Sequence, residues 1–274
     1  MSEPGAARPP GRAYRVLVVG GLAAAVCVRL GFWQLDRLKQ RDALRQAIRA
    51  RQEMPAVDLS AARAMLGGGP PPAGAGAGDL RASLADTLLY RRAVATGTFD
   101  FEHQVVVVGR VVAGLPAVLV VTPLRVEEGL AILVERGWVP SPDAASVNLL
   151  ELAEPEVATV GGVLLQPGGR NIPSGRDARW PLVAPTDDPL RLGDRFPYRL
   201  LPWVLRRTEA PGAGTDGLRA LAVPQLDRGP HLSYAVQWFA FAAIAVAGSV
   251  ALFMRSGPRP QAGEGGPAAR GGSA

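Results

Sequence analysis

His231-Leu232-Ser233-Tyr234-Ala235-Val236-Gln237-Trp238-Phe239 opens an uncharged run that continues to Met254. The stretch from Leu232 to Met254 holds no Asp, Glu, Lys or Arg, and about 20 such residues in a helix cross the hydrocarbon core of a bilayer. This predicts a transmembrane helix over 231–254 with His231 at the membrane surface. Tyr234 and Trp238 follow His231 by one and two helical turns, so an imidazole and two aromatic rings line one side of the helix entrance. Such a face suits a flat ligand.

The N-terminal region mirrors this. Val16 to Val28 is apolar, Arg29 interrupts, and Leu30 to Leu35 resumes through Gly31-Phe32-Trp33-Gln34. The window 16–35 is long enough to span when Arg29 snorkels or pairs. Arg12 and Arg15 before it also fit a signal peptide, but no small-residue cleavage pattern follows, and Trp33 with Arg37 reads as an interfacial anchor. The expectation is a retained first transmembrane helix.

Between the two runs lies 36–230, one domain's worth of chain. The protein of 274 residues carries a net charge of +6, yet 36–230 is nearly balanced, so the excess sits in the tails and at Arg29. Nucleic-acid binding is not expected. Cys27, the sole cysteine, lies in the first apolar run, which excludes an intrachain disulfide and a paired-cysteine copper site.

Asp36 to Arg51 is charged, with Leu38, Leu44 and Ile48 spaced for one helical face, and reads as an amphipathic extension of the first span. The Gly/Pro/Ala tract at 67–79 reads as a flexible insertion. Short β-branched runs follow at 93–99, 104–108, 118–123, 131–134 and 157–165, with further candidates near Leu182 and over 198–205. Gly109-Arg110, Gly114-Leu115-Pro116 and Glu127-Glu128-Gly129 fall at hairpin spacing. The fold class expected is a membrane protein in which two transmembrane helices flank a mainly β, antiparallel, meander-like and barrel-like α+β extracytoplasmic domain. Its parts are a cytoplasmic tail 1–15, a helix 16–35, the domain 36–230, a helix 231–254 and a disordered cytoplasmic tail 255–274.

No nucleophile elbow, phosphate loop or zinc motif occurs, so the chain does not read as an enzyme. His103 has no His or Cys close by in sequence and reads as a solvated turn residue. Asp187-Asp188 and Glu127-Glu128 read as solvated charges.

Four segments in order carry a family resemblance: Gly31-Phe32-Trp33-Gln34-Leu35-Asp36-Arg37, Tyr90-Arg91-Arg92-Ala93-Val94-Ala95-Thr96-Gly97-Thr98-Phe99, Arg136-Gly137-Trp138-Val139-Pro140 and His231 through Phe239. Together they resemble the SURF1 family. The resemblance implies a membrane protein that assists assembly of the haem-copper terminal oxidase, cytochrome c oxidase, and handles haem a on its way to the catalytic subunit. It makes His231 the haem-iron ligand. It also implies oxidase subunits and the lipid bilayer as partners and a plasma-membrane location, with the large domain outside the cytoplasm; the flanking positive charges do not fix that orientation.

Around such a haem, Tyr234 and Trp238 would flank the ring, Arg37 or Arg228 would meet a propionate carboxylate, and Trp33 would lie alongside. Trp33 and Arg37 also fit an aromatic belt with a snorkelling cation, and Trp138 fits a packed strand end. The alternative function is a membrane scaffold that stabilises an oxidase assembly intermediate without binding haem; a membrane-tethered enzyme is a third.

Overall fold

A computed structural model describes residues 11–60, 87–152, 154–166, 179–208, 217–223, 227 and 229–255. The insertion expected at 67–79 and the tail from 256 lie outside the described residues, as does Arg228. The chain divides into two compact units, one formed by the two ends and one by 45–225.

The first unit is a helix pair. Helix α1 runs Gly11–Glu53 and α3 runs His231–Arg255, and both are long and apolar enough to cross a membrane. Small residues make the seam: Gly20 and Ala24 on α1, with Gly31 two turns on, are buried, and so are Ala235, Ala242 and Ser249 on α3. A Cβ on Gly20 would lie 1.6 Å from Ser249 Oγ, and one on Gly31 would lie 2.7 Å from the Phe239 ring. Close backbone approach at small residues supplies the contact, as it does between helices in lipid, where no hydrophobic drive holds them together. Val18, Val19, Leu22 and Ile244 face outward, giving the pair an apolar exterior. Beyond the apolar window Ile48 is buried, but Leu44 is exposed, so the amphipathic face expected over 36–51 is narrower than its spacing suggested.

The second unit is mostly sheet. Its strands are β1 Val57–Asp58, β2 Arg92–Phe99, β3 Val105–Val112, β4 Leu115–Glu127, β5 Leu130–Pro140, β6 Val157–Leu165, β7 Leu182–Ala184 and β8 Arg199–Arg207, with a short helix α2 at Pro189–Leu192 before β8. The eight strands form one sheet in the order β1-β2-β6-β8-β5-β4-β3-β7, and β2 also pairs with β4 through Thr98 and Phe99. The expected strands are present, but the sheet is not an antiparallel meander. Only β3-β4-β5 follow one another as hairpins; β1 with β2, β3 with β7 and β5 with β8 are parallel. These parallel partners are separated along the chain, and periodicity within each strand does not encode which strands meet.

Gly109 was expected to mark a hairpin. It instead sits inside β3 as a bulge, where the register against β4 shifts between Val107 and Arg110 and its φ is 70°. The turn itself uses Ala113-Gly114, both with positive φ.

Alternate residues of the central strands feed two buried clusters. Ile132, Val134, Trp203 and Leu205 join Phe99, Leu124 and Leu164, while Leu133 and Val204 join Val107, Leu119 and Val121. Both faces of β5 and β8 are therefore covered, which accounts for their near-continuous apolar sequences.

Candidate functional site

His231 is the first residue of α3 and is partly buried. Its Nδ1 lies 2.9 Å from Oε1 of Gln34 on α1, a bond between side chains 197 positions apart. A carbonyl oxygen only accepts, so Nδ1 donates in this contact, and in the neutral ring Nε2 keeps its lone pair. No polar partner for Nε2 occurs among the described residues. Gly229, two residues before, has φ 69°, and a Cβ there would stand 3.3 Å from both Nε2 and Cδ2. The glycine thus permits the left-handed turn into the helix and keeps a side chain off the Nε2 edge.

The other expected site residues divide. Tyr234 is exposed, and Trp238 packs edge-on against Phe241 with ring centroids 5.9 Å apart. Trp33 and Arg37 are brought together on the surface of α1, with the guanidinium 5.6 Å from the indole centroid and Arg37 Nη1 donating to Gln40 Oε1 at 3.2 Å. The structure joins His231 directly to none of these four among the described residues. Its partner is Gln34, which the sequence reading quoted within a motif but did not select. The signal was available: Gln is the one uncharged polar side chain in that apolar window, and a polar group there needs a partner.

The sheet unit corrects two expectations. His103 sits in a turn as expected, but it is partly buried rather than solvated. Its side chain is 21% exposed, its Nδ1 lies 2.9 Å from Asp100 Oδ2, and its ring stands 4.7 Å from that of Trp180 and 6.1 Å from that of Tyr198. Tyr198 donates to the same carboxylate at 2.9 Å. Burial works to raise Asp100, but the bonds from His103 and Tyr198 outweigh it and hold the carboxyl below its ordinary value. Four groups donate to Asp100, since the amides of Glu102 and His103 also reach it, so the cluster closes a turn onto an aromatic core. Chain-distant Trp180, Phe196 and Tyr198 made this invisible from local sequence.

Asp187 and Asp188 are likewise buried rather than solvated. Desolvation and the Glu135 carboxyl raise Asp187 to about 8, against the lowering effect of Arg110 at 3.8 Å. Glu135 in turn accepts two bonds from Arg206. Among the described residues no group of three or more His, Cys, Asp or Glu stands ready to hold a metal ion.

Trp138 is a packed strand residue. Its backbone exchanges 2.9 Å bonds with Arg219, whose guanidinium lies 5.1 Å from the indole centroid, and its Nε1 donates to the Ala220 carbonyl. The preceding Gly137 admits that segment, because a Cβ would meet the Arg219 carbonyl at 2.6 Å.

With this geometry in view, a sequence profile of the SURF1 family matches residues 21–243, from within the first apolar helix to within the last. The chain belongs to the SURF1 family. It is 32% identical over 176 residues to an uncharacterized SURF1-like protein of Mycobacterium bovis, covering 61% of this chain and 60% of that one. The same figures hold for an uncharacterized SURF1-like protein of Mycobacterium tuberculosis. A SURF1-like protein of Rickettsia felis is 29% identical over 115 residues, 41% of each chain. The chain thus spans three-fifths of the length of its mycobacterial relatives. The SURF1 match takes in both Gln34 and His231.

Proposed function

We propose that this protein is a membrane assembly factor for the haem-copper terminal oxidase, cytochrome c oxidase, and that it holds haem a for delivery to the catalytic subunit with His231 as the iron ligand. The SURF1 family is generally linked to oxidase assembly. The observation that carries the haem reading is the His231–Gln34 bond, because it leaves an unprotonated Nε2 at the start of an apolar helix beside a glycine that keeps the nitrogen clear. A neutral imidazole nitrogen is an ordinary axial ligand for haem iron. The porphyrin iron would supply the coordination bond, and the residues of the helix pair would supply orientation. Tyr234 and Trp238 are the aromatic groups nearest in sequence to flank a macrocycle, Arg37 is the cation for a propionate, and Trp33 backs Arg37. The apolar exterior of the helices suits the long hydrocarbon tail of haem a and a place in the plasma membrane, crossed twice with the sheet domain on the extracytoplasmic side.

The test is purification of the full chain from cells that make haem a. An iron-porphyrin spectrum that His231→Ala abolishes, together with co-purification of the oxidase catalytic subunit, supports the proposal. Colourless protein that still brings down oxidase subunits would establish the scaffold reading, in which the helix pair grips an assembly intermediate without haem. Failure of both retires an oxidase role.

A further inference from the structure

We infer that Gln34 is the positioning residue of this site: it fixes His231 as the Nδ1-protonated tautomer and so dedicates Nε2 to the iron, while Gly229 keeps the approach to that nitrogen clear. The inference rests on the reading of His231 as a haem ligand and adds to it which nitrogen binds and what holds the ring. The Oε1···Nδ1 distance of 2.9 Å is an ordinary hydrogen bond. It ties the first turn of α3 to the end of the apolar part of α1, so the tautomer is set by how the two helices meet rather than by either alone. Gln34 lies one helical turn beyond Gly31, whose missing side chain lets Phe239 approach, and this close passage brings the amide within reach of the ring. Histidines that bind metals almost always donate their other N–H to an acceptor, which orients the ring and raises ligand basicity; loss of the acceptor typically weakens metal binding 10–100-fold. A neutral amide is a moderate acceptor. It locks direction without driving the ring toward imidazolate, which fits a protein that must hand its haem on.

The experiment uses the full chain in detergent micelles, labelled with 15N-histidine and studied well above the ordinary imidazole titration range. Only His103 and His231 give ring signals, and His231→Ala assigns them. The wild-type His231 ring is expected to carry its proton on Nδ1, and Gln34→Leu to move it to Nε2. Hemin is the binding probe. Gln34→Leu is expected to bind it at least about tenfold more weakly than wild type. Gln34→Glu is expected to restore affinity and to lower the midpoint potential, because a carboxylate pushes more electron density through the ring. Gly229→Ala is expected to weaken hemin binding with the tautomer unchanged. A merely structural Gln34 would move neither tautomer nor potential. A wild-type ring protonated on Nε2, or a Gln34→Leu chain matching wild type in tautomer and hemin affinity, overturns the inference while hemin binding lost in His231→Ala leaves the haem reading standing. A wild-type chain that binds no hemin overturns both.

Discussion

The helix pair and the sheet unit are held together by opposite means. The pair meets along small side chains and turns its large apolar residues outward, and the side-chain bonds among its described residues include His231–Gln34, Arg37–Gln40 and Ser249 to the Ala245 carbonyl. The sheet turns its large apolar residues inward on both faces and buries charges among them: Arg136, Glu135 and Asp187 are each at most 2% exposed. A surface that meets lipid can leave its apolar side chains exposed and needs only a close seam, whereas a domain in water must cover its core and pair whatever charge it encloses. A polar bond is thus informative in the first unit because it is rare there. In the second it is part of the packing.

The largest expected effect lies in the buried charge network. Arg136 is completely enclosed, ion-paired with Glu154 at 2.9 Å, bonded to the Leu152 carbonyl and to Gln104, and set 5.3 Å from the Phe101 ring centroid. Removing one partner of a buried pair typically costs about 3–5 kcal/mol because the other charge is stranded. Arg136→Met should therefore cost a large fraction of the stability of an ordinary domain, which is about 5–15 kcal/mol. Urea unfolding followed by tryptophan fluorescence should show the loss, while the helical signal of the detergent-solubilised chain persists. If the helical signal is lost in parallel, the contrast between the two units is wrong.

Next comes a pH dependence peculiar to the sheet. Asp187 is raised from 3.8 to about 8 by burial and by Glu135. The native state therefore keeps a proton that the unfolded chain has released, and between about pH 4 and about pH 8 stability falls as pH rises. The slope from a single such group is at most about 1.4 kcal/mol per pH unit. Asp187→Asn should flatten it by keeping the position neutral. Urea midpoints at about pH 5 and about pH 8 check this; a wild-type midpoint that rises over that interval, or a slope the variant retains, contradicts it.

The seam of the helix pair should respond to bulk rather than charge. Gly31→Val places its Cβ against the Phe239 ring, which already stands edge-on to Phe32 with centroids 5.4 Å apart and so has limited room to swing away. Overpacking of this kind costs about 1–3 kcal/mol. Disulfide trapping of a Gln34→Cys, His231→Cys pair in a Cys27→Ala background should fall when Gly31→Val is added. Unchanged trapping would mean that the seam is looser than the glycines imply.

How much of this was legible differs between the units for the same physical reason. Hydropathy announced both helices, the first broken only at Arg29, and His231 stood out because it opens the uninterrupted run. The strands were legible from β-branched runs, as with β6, where the expected and observed limits coincide at Val157–Leu165. Pairing was not legible, since β5 and β8 are parallel partners with β6 and β7 between them in the sequence, and no local pattern encodes that. The partial burial of His103 and the full burial of Asp187 were missed because their environments are assembled from distant strands and loops. Gln34 was missed for a subtler reason: aromatic and charged groups were the partners expected around His231, Trp33 and Arg37 of α1 among them, and the residue that bonds it is a neutral amide between those two.

The smallest expected effect concerns Arg37, and it separates the two readings left open for it. Arg37 is exposed and stacks on Trp33, so as a surface anchor it contributes at most about 1 kcal/mol to the helix pair, and Arg37→Gln should leave disulfide trapping unchanged. As a propionate partner it should show itself only in ligand binding, through loss of an exposed charge pair worth up to about 1 kcal/mol, or about fivefold in affinity. Hemin and its dimethyl ester, which lacks the carboxylates, make this decisive. If Arg37 meets a propionate, Arg37→Gln weakens hemin binding but not binding of the ester, and the difference is the coupling between the two charges. If the substitution affects both ligands equally or neither, Arg37 belongs to the membrane surface, and the recognition of haem rests on His231 with Gln34 behind it.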